Sequence, residues 1–338
     1  MDRATQQKAI DTLKHALKPI APFFDDPEVQ EIMVNGPSDV WVERRGELLR
    51  AEVAISQTSI QSAIFVLARL DNKEARAGKR EGIIDARFEG MRIAAVMAPT
   101  AVRSHAICIR KYLPRSLRLE DYVRQGSLPA QQAASLQQLV RERRNVIVAG
   151  ATSSGKTSLV NALLAELDPG ERVVTIEDTP ELAVSVPNWV PFETNESEGV
   201  STRDLVRLAL RFRPDRLIVG EVRGPEAFDL MQAANTGHEG CIATLHANHA
   251  LAALARLESL VLTAGVNWPL EAVRAQIAQT FHYVIYMRRH ERGKREVSQI
   301  VRLSGYNAAA GKYVVSTVFD QKERAHEHLR LRPALCVA

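Results

Sequence analysis

One short segment, residues 150–157, constrains the fold of this 338-residue chain more than any other. Its sequence, GATSSGKT, fits the pattern G-x-x-x-x-G-K-[ST]; an apolar run, 145–149, precedes it, and a helix-like stretch, 158–164, follows it. Glycines in such a loop let successive backbone N–H groups face phosphate oxygens, and the helix N-terminus adds positive potential. The segment therefore predicts a phosphate-binding loop inside an α/β domain.

The loop pattern also assigns expected roles to single residues. Lys156 is expected to reach the β- and γ-phosphates of a nucleoside triphosphate, and Thr157 to hold Mg²⁺. The expected nucleotide contacts are Gly150, Ala151, Thr152, Ser153, Ser154, Gly155, Lys156, Thr157 and Ser158.

The hydrophobic pattern changes character along the chain. Short β-like runs and one helical stretch over the first 110 residues or so predict a small N-terminal α+β domain, residues 1–112. From residue 145 short apolar runs alternate with helical patterns, which predicts a parallel sheet covered on both faces, followed by a mostly β ending. We therefore expect an N-terminal domain (1–112), a linker (113–134) and an α/β nucleotide-binding domain (135–338).

The first helix leaves two interpretations open. Ile10, Leu13, Leu17 and Ile20 recur at helical spacing, so this helix packs either on its own domain or on a membrane surface. The first twenty residues carry six charged side chains, and the chain has no apolar run of 18 residues. We therefore expect a cytoplasmic protein whose membrane contact, if any, is peripheral.

Charge and cysteine content exclude some classes of protein. Lys and Arg number 44 and Asp and Glu number 40, a surplus too small to argue for nucleic acid as a partner. The three cysteines form no C-x-x-C pair, which excludes a four-cysteine zinc module.

Carboxylates at the ends of apolar runs are candidate catalytic groups. Glu221 ends the run 216–220 and is expected to act as general base or to orient water; the alternative is a solvated strand end. The generic pattern would place an aspartate at Gly220, so the metal is expected to rely on Thr157 and water. Glu177 and Asp178 end another run, where one carboxylate can help to hold Mg²⁺ or the attacking water. Each can instead be structural, and Asp178 in particular can cap the turn that follows it.

A third cluster contains His238, Cys241, His246 and His249. These residue types can bind zinc, but their short spacing matches no common structural zinc site. The alternative for the three histidines, and above all for His249, is a structural role.

Four ordered segments together resemble the secretion ATPase superfamily. They are GATSSGKT, IEDTPEL at 176–182, RPDRLIVGEVRGPEA at 213–227 and the stretch 236–248, which match the Walker A, Asp, Walker B and His boxes. The front end, 28–43, is similar to the N-terminal domain of conjugal transfer ATPases of the TrbB type. The resemblance implies a RecA-like ATPase domain, a homohexameric ring at the cytoplasmic face of the inner membrane, ATP and Mg²⁺, and ATP hydrolysis that powers pilus assembly and substrate transfer.

The resemblance also implies roles for residues outside the loop. Glu177 and Glu221 match the family's carboxylates, and His246 is the His-box histidine expected near the γ-phosphate. Arg223 is a further candidate for a subunit or phosphate contact. The candidates for the arginines that the N-terminal domain brings to the phosphates are Arg92, Arg103 and Arg110.

Three other functions remain alternatives to a conjugative type IV secretion motor. One is a type IV pilus assembly or retraction ATPase, and another is a DNA translocase or helicase, against which no aromatic and basic single-strand platform is visible. The third is a nucleotide-gated scaffold without significant turnover. The expected partners are inner-membrane components of the secretion apparatus, with no sequence-specific nucleic acid.

Overall fold

Secondary structure elements of this computed structural model divide into two units, Met1–Arg115 and Ser116–Ala338. The structure describes residues 3–70, 74–111, 117–195, 198–290 and 293–321. The division falls next to the start of the segment that we expected to be a linker, of which residues 113–116 lie outside the described residues.

The first unit is an antiparallel sheet covered by helices. The helices are α1 (Arg3–Ala16), α2 (Ala21–Asp25) and α3 (Gln57–Leu70), and the strands are β1 (Val29–Gly36), β2 (Asp39–Arg44), β3 (Glu47–Ala51), β4 (Ile83–Phe88), β5 (Met91–Val96) and β6 (Ala106–Lys111). Within the described residues the strand order is β3-β2-β1-β6-β5-β4. The α+β prediction for this part of the chain is confirmed.

The apolar residues of the first helix are buried inside this unit. Leu13, in the last turn of α1, and Leu17 and Ile20, which follow this helix, are at most 2% exposed and join the core that α3 and the sheet form, while Ile10 is half-buried. Pro19 lies in the short 3-10 turn that follows α1. Of the two interpretations of this segment, the structure favours packing on its own domain.

The second unit is a mixed sheet with helices around it. The strands are β7 (Val146–Gly150), β8 (Val173–Glu177), β9 (Trp189–Glu193), β10 (Arg216–Val219), β11 (Ile242–Leu245), β12 (Tyr283–Arg289), β13 (Arg295–Asn307) and β14 (Lys312–Asp320). Within the described residues the strand order is β14-β13-β12-β7-β11-β10-β8-β9. The six strands β12, β7, β11, β10, β8 and β9 are parallel to one another, and β13 and β14 add antiparallel pairs beside β12. The helices are α4 (Leu119–Arg124), α5 (Ala130–Arg141), α6 (Lys156–Leu164), α7 (Thr202–Ala209), α8 (Glu226–Asn235), α9 (Ala250–Leu262) and α10 (Leu270–Thr280).

Much of the expected linker packs on the second unit. Leu119 and Tyr122 of α4, together with Leu128, are at most 3% exposed and share a hydrophobic cluster with Leu136 of α5 and Leu163 of α6. These apolar side chains bury surface on the α/β core, so the stretch 119–128 packs as part of the second unit.

At the amino end of β10 a charged side chain is buried beneath a glycine. Arg216 is 2% exposed; its Nε and Nη2 donate to the carboxylate of Glu171 at 2.9 and 3.1 Å, and Nη2 also donates to the carbonyl of Val140 at 2.6 Å. Gly240, at φ +83°, lies against this guanidinium, and a Cβ there would overlap Arg216 Nη1. Because a buried ion pair is costly to disturb, this close approach requires a glycine.

The Gly240→Ala substitution is expected to lower the free energy of unfolding by about 2–3 kcal/mol, because it combines left-handed backbone strain with overlap of a buried group. Gly237→Ala is the matched control, since Gly237 has a similar φ of +95° but nothing within 4 Å of its Cβ position. We expect about 1 kcal/mol for the control, from strain alone. Urea unfolding of both variants measures the difference, and equal losses would contradict the steric argument.

Candidate nucleotide site

The phosphate-binding loop leaves β7 at Gly150 and enters α6 at Lys156. Gly155, directly before α6, has φ +93°, a left-handed conformation that favours glycine. A Cβ on Gly150 would overlap the hydroxyl of Ser154 and would lie 2.6 Å from the carbonyl of Met287 on β12. Both glycines of the pattern are therefore required by the local backbone.

The structure places every loop residue of the pattern between these two elements. Ala151 and Thr152 are exposed, Ser153 is half-buried, and Thr157 and Ser158 are half-buried in the first turn of α6. Ser154 is buried, and its hydroxyl is without a hydrogen-bond partner within the part of the chain that the structure describes.

Lys156 is held over the loop by main-chain oxygens. Its side chain is 8% exposed, and Nζ donates to the carbonyls of Gly150 and Ala151, at 3.1 Å each. A buried ammonium group that donates to main-chain oxygens at the mouth of such a loop is well placed to bind an anion. Together with the N-terminus of α6 and the unsatisfied hydroxyl of Ser154, it makes this cradle fit the phosphates of a nucleotide.

Strand order brings the other motifs to the same edge. The parallel strands β7, β11, β10 and β8 are consecutive neighbours, so their carboxyl ends lie side by side. Lys156 follows β7, His246 follows β11, Glu221 follows β10 and Asp178 follows β8. Ligands of open α/β sheets bind at this edge.

Side-chain contacts connect these four positions in the order of the strands. His246 Nδ1 lies 3.4 Å from Lys156 Nζ, and His246 Nε2 lies 2.9 Å from Glu221 Oε1. Arg223 donates from Nη2 to Glu221 Oε2 at 2.8 Å and from Nη1 to Asp178 Oδ2 at 3.0 Å. A continuous row of polar groups therefore runs from the loop to the Asp box.

The electrostatics of this row keep Glu221 ionised and His246 neutral. Burial opposes ionisation of Glu221, but the hydrogen bond and charge of Arg223, with the charge of Lys156, outweigh it and lower its pKa. Burial, followed by the charge of Lys156, lowers the pKa of His246. Because the ammonium group of Lys156 can only donate, a neutral His246 accepts through Nδ1 and carries its proton on Nε2, 2.9 Å from Glu221 Oε1, an oxygen without a hydrogen-bond partner among the described residues.

Glu177 has a structural role at the end of β8. The side chain is 5% exposed, and Oε1 accepts the backbone N–H groups of Glu181 and Leu182 at 2.8 and 2.9 Å. Asp178 instead bonds to Arg223 and, through Oδ1, accepts the hydroxyl of Thr194 at 3.2 Å. Glu177 therefore binds two backbone N–H groups of the turn that follows β8, while Asp178 contacts Arg223 and Thr194.

Gly220 follows β10 at the position where the generic pattern would place an aspartate, and the structure gives a steric reason for the glycine. A Cβ on Gly220 would lie 2.9 Å from Cγ of Glu177, closer than real Cβ contacts come. A side chain at position 220 would therefore displace Glu177 from its hydrogen bonds. The first position at this strand end that can carry a carboxylate toward the site is Glu221.

The residues of the third cluster have separate partners. His249 Nδ1 accepts the backbone N–H of Ala252 at 3.0 Å and caps α9, which is the structural alternative for this residue. Cys241 is buried, its Sγ lies 3.1 Å from the carbonyl of His238, and burial raises the pKa of its thiol to about 12. Across the described ranges no group of three His, Cys, Asp or Glu side chains is arranged to hold a metal ion.

The three candidate arginines lie in the first unit. The register of β5 and β6 places Arg92 directly opposite Arg110, and that of β4 and β5 places Arg87 on the other side of Arg92. Arg110 is exposed, and Arg92 forms an ion pair with Asp85 at 2.7 Å. Arg103 lies in the loop before β6 and is exposed. The sheet therefore brings Arg92 and Arg110 together, whereas Arg103 lies outside the sheet.

No local sequence pattern identifies Arg295 as a cation beside the phosphate-binding loop. Arg295, at the start of β13, donates from Nε to the carbonyl of Ser153 at 3.0 Å, and its Cδ lies 3.2 Å from the Cβ position of Gly155. It reaches the loop because β12 pairs with β7 in a register that sets Met287 opposite Gly150. The position of Arg295 beside the loop therefore depends on the pairing of strands that are distant in the sequence.

Comparison with known proteins agrees with this geometry. The family model "Type II/IV secretion system protein" matches residues 14–310. A probable conjugal transfer protein TrbB of Sinorhizobium fredii is 33% identical over 314 residues, which cover 90% of this chain and 92% of that protein. The type IV secretion system protein VirB11 of Bartonella henselae is 30% identical over 326 residues, 84% of this chain and 91% of that protein.

A solved structure supports the fold alone. The pilus retraction motor PilT with bound ADP has a TM-score of 0.61 at 18% identity and covers 94% of this chain and 86% of its own. The family match covers most of the chain, and the relatives align over nearly their whole lengths. The chain therefore belongs to the type II/IV secretion system protein family, as a secretion ATPase of the TrbB type.

Proposed function

We propose that this protein hydrolyses ATP with Mg²⁺ to power pilus assembly and substrate transfer in a conjugative type IV secretion system. The observation that carries the proposal is the row from Lys156 through His246 to Glu221, which joins a phosphate cradle to an ionised carboxylate. The names of the TrbB and VirB11 relatives support the biological setting.

The residues of this edge divide the chemistry between them. Lys156 and the N-terminus of α6 hold the phosphates, and Thr157 in the first turn of α6 is the side chain that holds the metal. Mg²⁺, when bound, neutralises phosphate charge. Glu221 orients the attacking water or accepts its proton, and His246 stands between that carboxylate and the γ-phosphate site.

Glu177 contributes to the metal site in a more limited way than its position in the sequence indicates. Oε1 is engaged by two backbone N–H groups, so Glu177 keeps the 177–182 turn in place beside the site. We propose that Thr157 is the main protein ligand of the metal, and that Glu177 contributes to the metal site through a water molecule.

Arginines of the N-terminal domain are proposed to complete the site. Arg92 and Arg110 lie directly opposite each other on β5 and β6, next to Asp85 and Glu31, so this strand pair presents two guanidinium groups that could bind an anionic ligand. A guanidinium group is suited to the charge that develops on a transferred phosphoryl group. Arg103 is the third candidate, from the loop before β6.

We further propose that the working form is a homohexamer on the cytoplasmic face of the inner membrane, in contact with membrane components of the secretion apparatus. None of the helices in the described ranges is long and apolar enough to span a bilayer. Because Leu13, Leu17 and Ile20 are buried inside the first unit, we propose that another surface of the protein contacts the membrane. We expect no sequence-specific binding of nucleic acid.

Size-exclusion chromatography with light scattering, combined with phosphate release, tests this function. A non-hydrolysable ATP analogue is expected to shift the protein to particles of six chains, and ATP is expected to be hydrolysed by those particles. A strict monomer at micromolar concentration with the analogue contradicts the motor. Assembled rings that release no phosphate would instead indicate a nucleotide-gated scaffold.

A further inference from the structure

Arg223 lies on a turn whose backbone is fixed from two sides. The N–H of Val222 donates to the carbonyl of Thr244 on β11 at 2.8 Å. The buried carboxylate of Glu226 accepts the N–H groups of Arg223 and Gly224 at 2.6 and 2.7 Å. The main chain of Arg223 is therefore anchored to the sheet and to the start of α8.

The side chain of Arg223 joins the ends of two strands. One terminal nitrogen donates to Glu221, which follows β10, and the other donates to Asp178, which follows the adjacent strand β8. Asp178 is itself held by the hydroxyl of Thr194. The guanidinium group is thus a bridge between a carboxylate with fixed neighbours and the proposed catalytic carboxylate.

Stability alone does not account for this bridge. The side chain of Arg223 is 56% exposed and that of Asp178 is 32% exposed, and ion pairs this exposed contribute little to folding. The geometry of Glu221 is more informative. Oε2 receives the Arg223 hydrogen bond while Oε1 faces His246, so both oxygens have defined directions.

We propose that Arg223 is a positioning residue for ATP hydrolysis: by bridging Asp178 and Glu221 it holds the Glu221 carboxylate in the orientation that the attacking water requires. This inference rests on the proposed function, because it deepens the role of Glu221. It assigns Arg223 to the two carboxylates of its own chain and not to the phosphates or to another subunit.

The chemistry of arginine suits this task. Its planar fork can donate to two acceptors in fixed directions, whereas a lysine ammonium group is a point charge on a flexible stem. A small misplacement of a catalytic group lowers the rate of the chemical step strongly. Loss of the bridge is therefore expected to lower kcat more than it weakens the binding of ATP.

Steady-state kinetics of Arg223→Ala test the proposal first. We expect kcat to fall about 10- to 100-fold with little change in KM for ATP. Arg207→Gln is the matched control, because Arg207 is 55% exposed and pairs with Asp229 on α8, outside the row of polar groups; its kcat is expected to stay at the wild-type value.

Asp178→Asn and the double variant test the bridge itself. Because both substitutions break the same bridge, Arg223→Ala combined with Asp178→Asn is expected to be little slower than Arg223→Ala alone. Independent effects would instead multiply. Arg223→Lys is expected to restore part of the charge but only a small part of kcat.

The pH dependence of kcat distinguishes a positioning role of Arg223 from a merely structural one, which would leave this dependence unchanged. Glu221 is faced by Arg223, His246 and Lys156, with Asp178 and Glu177 at the end of the neighbouring strand. Removing the cation that lowers the pKa of Glu221 raises that pKa, so the acid limb of the kcat profile is expected to move to higher pH in Arg223→Ala.

Three outcomes would overturn the proposal: a raised KM with unchanged kcat, multiplicative effects of the two substitutions, or full activity of Arg223→Lys. Absence of phosphate release by the wild-type protein would instead refute the proposed function. Crystal structures of wild type and Arg223→Ala decide the inference in that case, since we expect the Glu221 side chain to leave its position beside His246 in the variant, and an unmoved Glu221 would refute it.

Discussion

The Glu221→Gln variant is expected to lose ATP hydrolysis by about 100-fold or more while it still binds the nucleotide. The substitution keeps the size of the side chain and its place beside His246, but it removes the charge that accepts or orients a water proton. Phosphate release measures the loss, and a fluorescent ATP analogue measures binding. The two assays together separate chemistry from binding.

Glu193→Gln is the control for this variant. Glu193 ends β9, the strand next to β8, so it lies at the same edge of the sheet but two strands away from β10. The Glu193→Gln variant is expected to hydrolyse ATP at the wild-type rate. Equal loss of binding and hydrolysis in Glu221→Gln would contradict the role proposed for Glu221.

The pH dependence of the wild-type rate follows from the same carboxylate. The pKa of Glu221 is lowered in the folded protein, and the ionised form is the active one. Hydrolysis should therefore persist below the ordinary pKa of a glutamate and decline only when the pH falls through the lowered value. In Glu221→Gln the residual rate is expected to lack this acid limb.

Much of the site was predictable because its motifs lie at the ends of apolar strands. A loop of the form GATSSGKT has few structural alternatives, and parallel strands place their carboxyl ends at one edge. The sequence could therefore nominate Lys156, Glu221 and His246. It could not place β11 between β7 and β10, because strand order in a sheet is a property of distant pairing, and that order is what puts His246 between the other two.

Other features depend on contacts that no local pattern reports. The close approach of Glu177 to Gly220, and the hydrogen bonds that Glu177 makes with the turn after it, become visible only when the two strands are paired. Arg295 reaches the loop from a strand 140 or so residues away. The helical α4 inside the expected linker was missed because a short amphipathic stretch next to proline and glycine residues is typical of a connector.

The Lys156→Met variant is expected to weaken ATP binding by about 100-fold or more and to leave no measurable hydrolysis, because it removes a charged hydrogen-bond donor to phosphate. Methionine fills a similar volume, and loss of a buried charge does not endanger the fold. Isothermal titration with ATP and Mg²⁺ measures the binding. Lys312→Met, on the exposed strand β14, is the control and should bind ATP as the wild type does.

The histidine beside Lys156 gives this prediction a second measurement without nucleotide. Burial, followed by the charge of Lys156, lowers the pKa of His246, while Glu221 raises it. Removing Lys156 therefore leaves Glu221 as the nearest charge to the ring, so the pKa of His246 should rise in Lys156→Met and stay unchanged in Lys312→Met. NMR titration of the ring protons follows this shift. An unchanged His246 pKa would mean that the row from the loop to Glu221 is not connected, whereas wild-type ATP affinity in Lys156→Met would mean that the nucleotide binds elsewhere.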